Sequence, residues 1–209
     1  MLPTQPLLRQ LPLSLGATLT CSTMIDETMD HAGAGSYVLD GVLSEASTDR
    51  LVDFWRTLPV ETSRHKKGPC SIRSYFCDAQ GWIRGVLEEA LSSCQQLETF
   101  VLFPHMRFLC YNESGIRLAP HVDLFRSNDQ GDRSTHSFLL YLTDCPEGGA
   151  TVLLESLQDE AQLARVEPKR GRLLLFPHLC PHEGEETVTV PKLLIRGEVK
   201  LGAGIVDDR

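Results

Sequence analysis

Apolar positions recur at helical spacing in two stretches of the first hundred residues, and beyond them the pattern shortens to strand length. Leu51, Phe54, Trp55 and Leu58 fall three and four apart, with capping side chains offered between Ser44 and Thr48 and Pro59 ending the run. A second amphipathic helix is predicted from about Ala79 to Leu97, its apolar face made of Ile83, Val86, Leu87, Ala90, Leu91 and Cys94. Tyr37 to Leu39 reads as a short strand, closed by the turn pair Asp40-Gly41. From residue 99 onward, short apolar runs alternate with turn residues. The runs are Val101–Tyr111, Leu118–Asp123, His136–Thr143, Ala150–Leu154, Arg172–Phe176, Glu185–Val190 and Lys192–Lys200, each read as a strand. Residues 1–33 show no steady period and read as a flexible N-terminal arm. The pattern therefore predicts an α+β chain: an arm over 1–33, then a single domain over 34–209. Its strand core spans about 99–205, with two helices buttressing one face of a small barrel or sandwich.

A length of 209 residues suits one domain with a sizeable core. The formal net charge of −8 argues against a nucleic-acid partner, which would call for a basic surface. No apolar run approaches the roughly 18 residues of a membrane helix. The 7 cysteines are scattered, odd in number and never spaced C-x-x-C, so neither a disulfide framework nor a zinc knuckle is expected. Reduced thiols fit a cytoplasmic or nuclear protein, and no secretory signal is read near the start. The lack of acidic residues in 1–25 leaves organelle targeting open.

The chemistry concentrates in Pro120-His121-Val122-Asp123 and Pro181-His182-Glu183-Gly184. Side chains two apart on an extended strand leave on the same face, which puts an imidazole beside a carboxylate. His182 lies 59 residues beyond Asp123, and one further imidazole completes a 2-His-1-carboxylate triad for non-haem Fe(II). His178, four residues before His182, competes for that third place; His105 and His136 read as ordinary polar residues. Lys192, Leu194 and Arg196 alternate with Leu193 and Ile195, so both cations leave one face of an otherwise apolar strand. A lone buried cation is costly unless paired, which suggests an anionic ligand.

Met106-Arg107-Phe108-Leu109-Cys110-Tyr111, Gly115 and the H-x-D motif together resemble the first metal-ligand region of the Fe(II)/2-oxoglutarate oxygenases, in particular the prolyl-4-hydroxylase-like branch. Phe138 to Thr143 followed by Gly148-Gly149-Ala150-Thr151 resembles that branch's tyrosine strand and hairpin. Pro168 to Phe176, then His182-Glu183-Gly184 and Lys192, resembles its closing half. The resemblance implies a double-stranded β-helix (jelly-roll) core, with His121, Asp123 and His182 as iron ligands and 2-oxoglutarate and O2 as co-substrates. Ascorbate would serve as a reductant. It further implies that Lys192, 10 residues after His182, holds the far carboxylate of 2-oxoglutarate, with Arg196, 14 after, as its rival. Tyr111, Tyr141 and Thr151 would line the same pocket, and Arg126 and Arg133, with the basic segment Arg64–Lys67, would meet substrate.

The expected reaction is hydroxylation of an unactivated C–H bond, on a peptidyl residue or a small amino-acid-like substrate, with release of succinate and CO2. The carboxylate of Asp123 favours hydroxylation over halogenation, for which the resembling halogenases carry a small residue. Three alternatives are a non-catalytic cupin-like binding or sensing domain, an oxidative nucleic-acid demethylase and a metal-dependent isomerase. The strand-borne cations weigh against the first and third. The acidic balance, with no arginine-rich closing motif, weighs against the second.

Overall fold

In a computed structural model, residues 12–61, 71–95, 97 and 99–202 are described. Twelve strands and two helices follow in chain order. They are β1 (Thr20–Ile25), β2 (Ser36–Asp40), α1 (Glu45–Arg56), β3 (Ile72–Cys77), α2 (Trp82–Ser92), β4 (Phe100–Leu102) and β5 (His105–Tyr111). Then come β6 (Leu118–His121), β7 (His136–Tyr141), β8 (Thr151–Leu154), β9 (Gln162–Val166), β10 (Leu173–Pro177), β11 (His182–Gly184) and β12 (Lys192–Leu201). The larger sheet runs β1-β2-β10-β7-β12-β5-β3, with β4 on the far end of β12; the smaller runs β6-β11-β8-β9.

Period-two alternation along the large sheet builds two cores. Leu193 and Ile195 of β12, Phe138 and Leu140 of β7 and Phe108 of β5 pack with Leu51 and Phe54 of α1 and Val86 and Leu87 of α2. Leu194, Leu139, Tyr141 and Leu109 face the other way and meet Leu153 and Val166 of the small sheet. The architecture is the expected jelly-roll with both helices on one outer face. α1 begins where Ser44 caps it, its hydroxyl accepting from the Ser47 amide. α2 is shorter than predicted at both ends. It starts after Gly81 (φ 76°), and the buried Asp78 carboxylate accepts from the Trp82 and Arg84 amides.

Four expectations need correction. Residues 20–25, assigned to the flexible arm, form β1, which pairs with β2 and buries Ile25. Cys21 of β1 is disulfide-bonded to Cys94, just past α2, so the thiols are not all reduced. Residues 185–190 form no strand; their amides bond singly to Ala150, Ile116 and Glu147. The run 101–111 is broken at Phe103-Pro104, and β3 and β9 were not foreseen. The first 11 residues and the basic segment Arg64–Lys67 lie outside the described residues. Among those described, no helix is long and apolar enough to cross a membrane.

Candidate active site

The end of β6 lies antiparallel to the start of β11, and this pairing sets His121 directly opposite His182. Their rings lie 4.2 Å apart between centroids. Asp123 follows two residues beyond β6, where its amide donates to the His178 carbonyl at 2.8 Å and turns the carboxylate toward both imidazoles. Nε2 of His121 and Nε2 of His182 each sit 3.9 Å from an Asp123 oxygen. The three ligand atoms lie within 4.8 Å of one another, the only such cluster among the described residues.

The donor set fits a metal. Nδ1 of His121 donates to the Ala119 carbonyl and Nδ1 of His182 to the Cys180 carbonyl, both at 2.9 Å. Each bond holds the proton on Nδ1 and leaves the Nε2 lone pair free, the usual support for a metal-binding imidazole. Burial pushes His182 well below its ordinary pKa, which keeps it neutral and able to ligate. Asp123 accepts from Arg196 at 2.7 Å on one oxygen and from the Ser137 hydroxyl at 2.6 Å on the other.

His178 is not a fourth ligand. It is buried, with Nδ1 3.0 Å from the Ser137 hydroxyl and Nε2 2.7 Å from the Ser134 hydroxyl. Ser137 has one proton and places it on Asp123, so His178 Nδ1 must donate to Ser137 and Nε2 must accept from Ser134. Burial holds this imidazole below its usual pKa, consistent with a single neutral tautomer. Ser137 is thus a support of Asp123 that spacing alone did not reveal, and His178 stands behind Asp123 through it. The one sequence signal was a serine inside the apolar strand His136–Tyr141.

A cavity of about 310 Å³ opens beside the triad. Lys192, Tyr111 and Thr151 line it. Lys192 is 3% exposed and makes no ion pair or hydrogen bond among the described residues, its ammonium lying 5.0 Å from the Tyr111 ring centre. Burial pushes its pKa down to about 8. Arg196 also lines the cavity, but it is engaged with Asp123 and, at 3.5 Å, with Glu198. Tyr141 stands one side chain further back, its hydroxyl donating to Thr151 at 2.8 Å. Arg126 and Arg133 do not line the cavity; both are exposed, and the Arg133 guanidinium lies 3.3 Å over the Phe125 ring.

Residues 106–197 match the model of the 2OG-Fe(II) oxygenase superfamily. The fold is similar to that of a viral collagen prolyl hydroxylase from Paramecium bursaria Chlorella virus-1, with a TM-score of 0.57 at 16% identity, over 84% of this chain and all of that one. It is similar also to a Pseudomonas putida prolyl-4-hydroxylase (TM-score 0.54, 21% identity, 80% of this chain and 94% of that one). A third likeness is a Trichoplax adhaerens prolyl hydroxylase in complex with a hypoxia-inducible-factor peptide (TM-score 0.55, 16% identity, 78% and 83%). A comparison with curated protein sequences finds no match. The matched span includes the His-Asp-His cluster, Lys192 and the whole of the smaller sheet. Over residues 106–197 this chain is similar to the 2OG-Fe(II) oxygenase superfamily, and its fold is the one seen in these prolyl hydroxylases.

Proposed function

We propose that the enzyme hydroxylates an unactivated C–H bond of a peptidyl residue or a small amino-acid-like substrate, with His121, Asp123 and His182 holding Fe(II) and Lys192 holding 2-oxoglutarate. Bound there, metal and co-substrate supply an oxidation by O2 that converts 2-oxoglutarate to succinate and CO2. Lys192 carries the reading: a buried cation without a partner, in the same cavity as the triad, is stable only if an anion joins it. The far carboxylate of 2-oxoglutarate has that charge. Tyr141 donates its own proton to Thr151, which leaves the Thr151 hydroxyl hydrogen free to point at the same carboxylate. Arg196 and Ser137 hold both oxygens of Asp123 in place.

Exposed Leu124 and Phe125 follow Asp123 directly, and exposed Leu179 precedes His182 by three residues. Apolar side chains bordering the metal ligands support a substrate that lies across the rim.

The test is an anaerobic titration with Fe(II) and 2-oxoglutarate, following the weak visible charge-transfer band of the chelated co-substrate. The band should form in the wild type and vanish in His121→Ala and His182→Ala. In Lys192→Met the apparent 2-oxoglutarate Kd should rise at least about 100-fold, since breaking one side of a buried ion pair costs about 3 kcal/mol or more. Iron binding without any band in the wild type would end the co-substrate reading.

A further inference from the structure

We propose that the cavity contains a second anion subsite, formed by Arg73 and Arg107, at which the substrate to be oxidised presents a carboxylate. The proposal rests on the assignment of Lys192 to 2-oxoglutarate.

Five cationic side chains line this one cavity in an acidic protein: Arg73, Arg107, Arg117, Lys192 and Arg196. Three of them have a counter-charge. Arg117 pairs with Glu183 at 2.9 Å, Arg196 with Asp123 at 2.7 Å, and Lys192 with the co-substrate on the reading above. Arg73 has none among the described residues, and Arg107 has only a distant one.

Their positions follow from the register of the large sheet. Arg107 on β5 lies opposite Arg196 on β12 and opposite Tyr75 on β3. Arg73 on β3 lies opposite Leu109, one inward-facing position along from Arg107. Like charges directly across a sheet destabilise it, so the facing guanidinium groups need an anion near them. Glu198 supplies little of that. Its nearest approach to Arg107 is 3.9 Å, it is shared with Arg196, and its Oε1 has no hydrogen-bond partner. Burial raises the Glu198 pKa, which weakens it further as a counter-ion.

The Nε atoms of Arg73 and Arg107 are buried and have no hydrogen-bond partner among the described residues. Burial also pulls the Arg107 pKa down, a cost that the distant and shared Glu198 offsets only in part. Both guanidinium side chains line the cavity, and such groups bind carboxylates by paired parallel hydrogen bonds. The cavity is at the small end for ligand sites and, on the reading above, must also hold 2-oxoglutarate, so a compact carboxylate fits best.

The probe is acetate. It would be titrated at constant ionic strength into the Fe(II)-loaded protein saturated with 2-oxoglutarate under argon, with thermal midpoint and charge-transfer band read together. In the wild type, acetate should raise the midpoint and leave the band intact. In Arg73→Gln and Arg107→Gln the band should still form, while the apparent acetate Kd rises at least about tenfold, as for loss of one charged hydrogen bond. Arg73 is on the edge strand β3, so its variant serves should Arg107→Gln not fold. An acetate response that is absent in the wild type, or equal in wild type and variants, overturns the subsite. A wild type without the band instead overturns the Lys192 assignment beneath it.

Free L-amino acids, their C-terminal amides and peptides with an internal acidic residue then distinguish the source of the carboxylate. Loss of binding on amidation assigns it to the amino-acid backbone, and binding by acidic peptides alone assigns it to a side chain. Amides that bind as well as the acids overturn the proposal.

Discussion

At the scale of single residues, the site depends on groups held away from their comfortable protonation states. Lys192 is the clearest. Its folded-state pKa of about 8 lies below the ordinary 10.5, so between those values the unfolded chain binds more protons than the folded one. The co-substrate-free protein should therefore gain stability from this group as pH rises from about 8 to 10.5. Affinity for 2-oxoglutarate should move the opposite way, because only the ammonium attracts the carboxylate. Band titrations between pH 7 and 9.5 should show an apparent Kd that is flat below about 8 and rises toward about tenfold per pH unit above it. A flat profile, or one unchanged in Lys192→Met, would remove Lys192 from co-substrate binding. Ser137 matters as a bridge, since it joins Asp123, His178 and Arg196. Ser137→Ala should weaken Fe(II) binding about 10- to 100-fold, measured by competition with a chelator, the usual cost of losing a support behind a metal ligand.

At the scale of elements, the hairpin before β8 borders the end of the cavity that holds Lys192. Gly148 and Gly149 both adopt positive φ, 66° and 70°, and a side chain on Gly149 would come 3.3 Å from the Lys192 stem. Gly149→Ala should raise the 2-oxoglutarate Kd with Fe(II) affinity little changed, because the triad stands on β6 and β11 instead. Equal loss of both would mean that the turn supports the whole barrel. The elements also show which parts of the chain could be read in advance. His121, Asp123, His182 and Lys192 were legible because short fixed spacings on β6, β11 and β12 carry them. The strand β3 was not, because a buried serine, Ser74, interrupts its apolar face between Ile72 and Phe76, and its other face carries Arg73 and Tyr75. Residues 185–190 failed in the opposite sense. Val188 and Val190 alternate as a strand should, but they are 50% and 39% exposed and no neighbouring strand pairs with the segment. Periodicity reports a face, and a strand also needs a partner for its backbone.

At the scale of the whole molecule, the two helices and the sheet that carries the lysine strand share one core, and a covalent tie closes its edge. Cys21 and Cys94 are 73 residues apart and join β1, the outermost strand beside β2, to the chain just beyond α2. Sequence could not choose this pair among seven cysteines without a recognised spacing, because the fold alone brings them together. Closing so long a loop restricts the unfolded chain far more than the folded one, for a typical gain of about 2–4 kcal/mol. Reduction should therefore lower the thermal midpoint by several degrees, and Cys21→Ser should do the same without reductant. The active site is served by β3, β5, β6, β7, β8, β11 and β12, not by β1. Reduced protein held below its new midpoint should thus form the iron–2-oxoglutarate band with unchanged affinity. A loss of that band at a temperature where the fold is intact would mean that the disulfide reaches the catalytic sheet, and that β1 and α2 are part of how the site is held.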